Sequence, residues 1–200
     1  MVMQWTEART LRDFGQCTAL WLEEKLPHMP TSHYCASVST ETLRLVPVLA
    51  VLNRSGKFLT TCSQPACLPG RRPYGGVKSH QRAAVMGFVP LAALEHLLLS
   101  LRRMRETFDI KVSIPGAKAE RDTQLVSRHN GNNAGHFGCV LSCKEIAEQY
   151  GPVPLPGWGD HPGLHPDVIA ALQRCYQVSI VDQLWGRNSQ LWPRLRAMAS

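Results

Sequence analysis

Residues 40–65, TETLRLVPVLAVLNRSGKFLTTCSQP, hold a helix pattern, a stop signal and a strand pattern in direct succession. Thr40 precedes apolar residues at helical spacing, which predicts a helix over residues 40–54 with Thr40 as its N-cap. Gly56 stands where a helix C-cap belongs, and the β-prone segment Lys57–Ser63 predicts a strand. Pro47 is the weak point of the helix, because a proline beyond the first turn removes a hydrogen bond. The segment therefore indicates a fold that combines helices with a sheet.

The rest of the chain alternates between helical and strand patterns without an internal repeat. Thr6 is the predicted N-cap of a first helix that ends near Lys25. Further helices are predicted over Pro90–Arg105, Lys144–Tyr150, Pro166–Arg174 and Asn188–Met198, and further strands over Gln81–Val89, Phe108–Ile114, Phe137–Ser142 and Tyr176–Asp182. This alternation predicts a mixed α/β (α+β) fold, with residues 1–200 forming a single domain around one central mixed sheet flanked by helices.

Three segments are predicted to lie outside this regular structure. Residues 64–79 and 151–166 are rich in proline and glycine, which predicts two long irregular loops. The stretch Asn130-Gly131-Asn132-Asn133 predicts a turn or a mobile tip. Loops as long as residues 64–79 are uncommon in compact domains unless they serve a function.

Composition narrows the class of protein. Apolar residues make up 44% of the chain and charged residues 18%, which is typical of a globular domain. The formal net charge is +7, but the basic residues are scattered, with clusters only at residues 71–72 and 102–105. A nucleic-acid interface usually concentrates its charge and interleaves aromatic residues, so a generally basic surface is the favoured interpretation and a nucleic-acid partner is not expected.

The cysteine count and the apolar runs bear on the compartment. Seven cysteines, an odd number, argue against a disulfide framework and favour a reducing compartment. The N-terminus lacks the pattern of a secretory signal, and the longest apolar run, Leu91 to Leu101, is too short to span a bilayer. We therefore expect a cytoplasmic protein with no membrane partner, and either a homo-oligomer or a protein partner is compatible with the sequence.

Residues 41–65 also contain short motifs in a distinctive order. Glu41-Thr42 begins the helix, Asn53-Arg54-Ser55-Gly56 ends it, and Leu59-Thr60-Thr61-Cys62-Ser63-Gln64-Pro65 follows. This order resembles the S-adenosylmethionine-binding regulatory domain of eukaryotic methylenetetrahydrofolate reductase, apart from one extra residue near Lys57. Looser matches are Tyr74-Gly75-Gly76 with Gln81, Tyr176–Asp182 and Leu191-Trp192. The flavin barrel of that reductase has no counterpart here, because 200 residues cannot hold it beside this domain.

The resemblance implies a similar fold, S-adenosylmethionine or S-adenosylhomocysteine as the ligand, and Glu41, Thr42, Thr60 and Ser63 as contact residues. With the adjoining Thr61 and Gln64 they form the predicted set of ligand contacts. A carboxylate can pair with a sulfonium, and hydroxyl groups can bind a carboxylate or ribose. We predict a pocket between the start of the helix and the end of the strand, roofed by residues 66–79. The alternative is structural: Thr40-Glu41-Thr42 is also typical of a helix cap, and Thr60 and Thr61 of a plain strand.

Two other groups of residues could form a functional site: a histidine and four cysteines. His136 is the first candidate for a general base, on the ground of its position at a strand entry. Cys62, Cys67, Cys139 and Cys143 could be imagined around zinc, but the spacing is not that of tight Cys-x2-Cys knuckles. Cys62 and Cys139 also lie in apolar strand patterns, which favours small core residues. We therefore predict no metal site.

Three functional hypotheses follow. The first is a protein that uses S-adenosylmethionine as a substrate, for methyl or alkyl transfer to a small molecule. The second is a non-catalytic sensor or regulatory subunit that binds S-adenosylmethionine or S-adenosylhomocysteine. The third is a basic nucleic-acid-binding module. A glycine-rich Rossmann fingerprint after a predicted strand, as in ordinary methyltransferases, does not occur in the sequence.

Overall fold

The computed structural model describes residues 3–29, 38–74, 77–102, 106–155, 159–161 and 163–199. The helices in these ranges are α1 (Leu11–Leu22), α2 (Val46–Ser55), α3 (Leu91–Arg102), α4 (Cys143–Tyr150), α5 (Pro166–Gln173) and α6 (Leu191–Ala199). The strands are β1 (Leu59–Gln64), β2 (Cys67–Tyr74), β3 (Val77–Val89), β4 (Phe108–Ser113), β5 (Gln124–His129), β6 (Asn132–Phe137), β7 (Val153–Leu155), β8 (Gly159–His161) and β9 (Tyr176–Trp185). Short 3₁₀ helices span Trp5–Glu7 and Thr42–Leu45.

The long strand β3 organises the main sheet, which has seven strands. The order is β4-β9-β3-β5-β6, and β1 and β2 also pair with β3. One half of β3, residues 84–88, pairs with β1, while β9 flanks it on the other side; the other half, residues 77–81, pairs with β2 and β5. The α/β class and the single central sheet predicted from the sequence are confirmed. The sheet is antiparallel and not mixed as predicted, because every described strand pair in it is antiparallel, including those that join β9 to β3 and β4.

Helices cover both faces of the sheet because alternate residues of β3 point to opposite sides. Val85 packs in one apolar cluster with residues of α2, α3 and α6. Phe88 packs in a second cluster with residues of α1, α4 and α5. Helices therefore pack against both faces of the sheet, and α1 and α2 also contact each other directly.

The two helices nearest the candidate site begin later than the sequence predicts. Thr10, not Thr6, caps α1: its hydroxyl accepts a hydrogen bond from the Asp13 backbone N–H at 3.1 Å, in a capping box. Helix α2 begins at Val46, so Pro47 lies in its first turn, where a proline costs no helical hydrogen bond. The predicted C-cap is confirmed, since Gly56 has a left-handed φ of 66°.

The prediction that residues 64–79 form an irregular loop is wrong. This segment contains β2 and the start of β3. Pro69 and Gly70 are tolerated in β2 because this strand pairs only with β3 among the described strands, and its register shifts twice, between Cys67 and Arg71 and between Arg71 and Tyr74. Gly75 and Gly76, part of the looser sequence match, lie outside the described residues.

The turn predicted at Asn130-Gly131 joins β5 to β6. The sequence pattern predicts no strand at β5, and it places a strand at residues 137–142 instead of at β6. Both central residues have positive φ, 50° for Asn130 and 87° for Gly131, as a two-residue hairpin turn requires. The strand predicted over residues 137–142 is wrong, because β6 ends at Phe137. Residues 151–166, predicted to be a loop, contain the short β7–β8 pair.

Helix α3 buries one side of its apolar sequence. Leu94 and Leu97 pack against the sheet, whereas Leu91 is 68% exposed. None of the described helices has the length and apolar character needed to cross a lipid bilayer.

Candidate functional site

A cavity of about 250 Å³ lies between α1, the 3₁₀ helix Thr42–Leu45 and β1. Its lining includes Trp21 from α1, Thr42, and four successive residues of β1: Thr60, Thr61, Cys62 and Ser63. Four of the six predicted ligand contacts, Thr42, Thr60, Thr61 and Ser63, therefore line one cavity. The predicted roof differs, because Met29, Val38 and Ser39 close this side and no described residue of 66–79 lines the cavity. We call it the α1–β1 cavity.

A bulge in β1 explains how successive residues reach one cavity. In a regular strand neighbouring side chains point to opposite faces. The pairing of β1 with β3 shifts between Thr60 and Cys62, and the Thr61 hydroxyl donates to the Met86 carbonyl at 3.2 Å. An extra residue in one strand bends it and redirects its side chains.

Thr60 is held in place by Asn53, at the C-terminal end of α2. The Asn53 amide donates to the Thr60 hydroxyl at 2.7 Å and to the Leu49 carbonyl at 2.8 Å, and its oxygen accepts from the Thr60 backbone N–H at 3.0 Å. Asn53 is fully buried and Thr60 nearly so. A threonine hydroxyl has one hydrogen to donate in addition to its lone pairs. Thr60 can therefore keep its bond to Asn53 and still donate into the cavity.

The other rim of the cavity is a turn in which Ser39 contacts Thr42. The Ser39 hydroxyl lies 2.9 Å from the Thr42 hydroxyl and accepts from the Thr42 backbone N–H at 3.3 Å. The predicted cap at Thr40 is therefore wrong: the 3₁₀ helix has Glu41 at its N-cap position without a side-chain cap, and the Ser39 side chain is the one that contacts Thr42. The pair of hydroxyls presents both donors and acceptors at the cavity edge.

Trp21 is a lining residue that the sequence reasoning missed. Its indole N–H is buried and has no hydrogen-bond partner among the described residues. A buried donor without a partner costs about 1–3 kcal/mol. In the sequence Trp21 shows only the helical apolar spacing of a core residue, so no sequence signal distinguished it. A ligand acceptor in the cavity would supply the missing partner.

Glu41 and Gln64 lie next to the cavity but not in its described lining. The Glu41 carboxylate accepts a hydrogen bond from the Gln81 amide at 3.2 Å, which directs it towards β3. The Gln64 amide donates to the carbonyls of Arg82 at 3.3 Å and Val126 at 3.0 Å, tying β1 to β3 and β5. Both side chains are therefore engaged in contacts that hold the sheet together.

His136 is not part of the lining of this cavity. It is exposed on β6, where it pairs through its backbone with Leu125. The cavity lining among the described residues consists of apolar, hydroxyl and thiol side chains and carries no charged group. The arrangement is suited to hydrogen bonding and apolar contact.

The cysteines divide by burial in a way that the sequence did not predict. Cys62 is exposed and Cys139 half-buried, so neither is the core residue that its strand pattern favoured. Cys17 and Cys175 are buried instead, and burial raises the pKa of Cys17 to about 11 and the pKa of Cys175 to about 12. These two thiols are therefore poor nucleophiles at neutral pH. Among the described residues no cluster of three or more His, Cys, Asp or Glu side chains could hold a metal ion.

Comparison with protein families gives one match over nearly the whole chain. The sequence profile of a family described as a domain of unknown function, DUF6919, matches residues 2–200. Comparison with curated proteins gives no match.

Proposed function

The chain belongs to the family of unknown function DUF6919, and we propose that it binds S-adenosylmethionine in the α1–β1 cavity. The observation that carries this proposal is the convergence of Thr42, Thr60, Thr61 and Ser63 on one cavity. These residues come from two separate elements, and the resemblance to the reductase regulatory domain implied three of them, Thr42, Thr60 and Ser63, as contacts.

The chemistry of the lining suits this ligand. The hydroxyls of Thr42 and Ser63 are matched to the ribose hydroxyls and the amino acid end of S-adenosylmethionine. The Trp21 N–H is matched to an acceptor such as the ligand carboxylate, and its ring to the sulfonium, since cations are attracted to indole faces. The cavity of about 250 Å³ is slightly smaller than the roughly 300–1,000 Å³ of most ligand sites, so the ligand extends beyond the described lining.

A sensor role, in which the ligand is bound and released unchanged, is favoured over methyl or alkyl transfer. His136, the general-base candidate of the transferase hypothesis, is exposed on β6 and outside the lining. Under the sensor role S-adenosylhomocysteine competes for the same cavity. Mass spectrometry of S-adenosylmethionine incubated with the protein separates the two roles, because only an enzyme accumulates the demethylated product.

Calorimetric titration of S-adenosylmethionine tests the proposal. We expect Thr42→Val and Ser63→Ala each to weaken binding by about two- to tenfold, the worth of one neutral hydrogen bond. Thr6→Val is the matched control, because Thr6 is exposed on the N-terminal 3₁₀ helix away from the cavity. Undetectable binding to the wild-type protein at millimolar ligand, or equal losses in Thr6→Val and Ser63→Ala, would refute the proposal.

A further inference from the structure

A second, unrelated feature lies at the other half of β3, where cationic residues alternate along the strand. Lys78, His80 and Arg82 are two positions apart and therefore point to the same face of the sheet. Arg128 on β5 is the direct partner of His80 in the antiparallel pairing, so it shares that face. Four cationic or titratable side chains thus gather at one end of the sheet.

A groove of about 530 Å³ opens over these residues. Lys78, His80 and Arg128 line it, together with Pro69 and Gly70 of β2. Its far rim is the Asn130-Gly131 turn, which is fixed to β3 by two hydrogen bonds: Lys78 N–H donates to the Asn130 side-chain oxygen at 3.1 Å, and Asn130 N–H donates to the Lys78 carbonyl at 2.8 Å. We call it the β3–β5 groove, and its walls are held by backbone pairing on both sides.

Within the described ranges, no acidic side chain pairs with the two exposed cations of this groove. Arg82 is paired with Asp109 at 2.6 Å, but neither Lys78 nor Arg128 forms an ion pair with a described residue. Both side chains are exposed. The charge offered to solvent is therefore that of Lys78 and Arg128, with His80 between them.

His80 and Arg128 lie side by side against Trp185. The Arg128 guanidinium carbon is 5.1 Å from the Trp185 ring centroid, and the His80 ring centroid is 4.7 Å from it. Burial, and secondly the charge of Arg128, lowers the pKa of His80, so the imidazole is mostly uncharged at neutral pH and does not repel Arg128. His80 therefore adds a neutral hydrogen-bonding group beside the two exposed cations.

We propose that the β3–β5 groove binds the phosphate group of a small phosphate ester, up to the size of a mononucleotide. A lysine and an arginine without acidic partners, facing one cavity, provide charge-assisted hydrogen bonds to phosphate oxygens. The groove volume lies within the range of small-molecule sites. The ligand sits at the opposite half of β3 from the α1–β1 cavity, so this site is independent of S-adenosylmethionine binding.

The test uses four probes in calorimetric titrations at low salt: ADP, inorganic pyrophosphate, adenosine and a ten-residue oligothymidylate. We expect ADP and pyrophosphate to bind and adenosine not to bind at the groove. Pyrophosphate is the decisive probe, because it has no base that the α1–β1 cavity could accept. Arg128→Gln and Lys78→Gln should each weaken pyrophosphate binding roughly tenfold or more.

Lys118→Gln is the matched control, since Lys118 is exposed in the segment between β4 and β5 and its loss changes the net charge equally. Arg128→Lys should recover part of the affinity, and thermal melts check that each variant folds. The proposal is overturned if neither ADP nor pyrophosphate binds at millimolar concentration, or if Lys118→Gln weakens binding as much as Arg128→Gln. It is equally overturned if only the oligothymidylate binds, which would indicate a nucleic-acid surface instead.

Discussion

Asn53 is the residue whose replacement tests the structural basis of the α1–β1 cavity most directly. Asn53→Ala removes three hydrogen bonds and leaves the buried Thr60 backbone N–H without its acceptor. An orphaned buried donor costs about 1–3 kcal/mol, and the void left by the side chain adds about 1 kcal/mol. We therefore expect the free energy of unfolding to fall by about 3 kcal/mol. For a protein of this size that corresponds to a fall in Tm of about 6–12 °C, measured by differential scanning calorimetry.

Asn133→Ala is the control for this experiment. Asn133 is an exposed asparagine on β6, and surface substitutions of this kind change stability by less than about 0.5 kcal/mol. We also expect Asn53→Ala to weaken S-adenosylmethionine binding, because Thr60 loses the partner that orients its hydroxyl. A fall in Tm of less than about 2 °C for Asn53→Ala would show that Asn53 does not connect α2 to β1 as described.

Two further predictions concern charged side chains. Hydrogen bonds from Arg54 at 2.6 Å and Lys25 at 2.8 Å lower the pKa of Glu23 from 4.5 to about 2, so their stabilisation is present above pH 4.5 and is lost as the pH falls towards 2. We measure the free energy of unfolding in urea between pH 4.5 and 2, and expect that of the wild type to fall by about 1 kcal/mol more than that of Glu23→Gln. Equal pH dependence of the two proteins would contradict this. Glu41→Gln should change S-adenosylmethionine affinity by less than about threefold, because the carboxylate faces Gln81, whereas a direct contact with the sulfonium would give a loss of roughly ten- to a hundredfold in calorimetry.

Local signals in the sequence were sufficient for the unit that carries the cavity. The Gly56 cap and the strand that follows it could be predicted because a helix stop and a β-prone run depend on neighbouring residues. The place of Thr42 beside Ser63 could be anticipated only through the resemblance, since their contact with one cavity is a tertiary fact. Thr60 alone does not indicate a ligand site, because a strand that lines no cavity would show the same sequence pattern around it.

The features that the sequence pattern did not predict all depend on tertiary contacts. Strand β2 contains Pro69 and Gly70, residue types that are typical of turns and loops. They are compatible with a strand here because the pairing of β2 with β3 is irregular. The hairpin of β5 and β6 has a mostly exposed second strand with polar residues, so the period-2 pattern of a half-buried strand is absent. In the sequence, Trp21 has the helical spacing of a core residue. Its indole N–H lacks a partner because none of the described residues around it places a hydrogen-bond acceptor there, and this cannot be predicted from the sequence.

The position of β9 makes the pairing of β4 depend on a distant part of the chain. Residues 176–185 lie inside the sheet between β4 and β3, and β4 has no other partner among the described strands. In a nascent chain that has not yet released β9, apolar residues of β3 and β4, such as Val85 and Ile110, lack the strand that joins them. Because unpaired strand edges promote aggregation, we expect this part of the sheet to be exposed to aggregation until β9 has been synthesised.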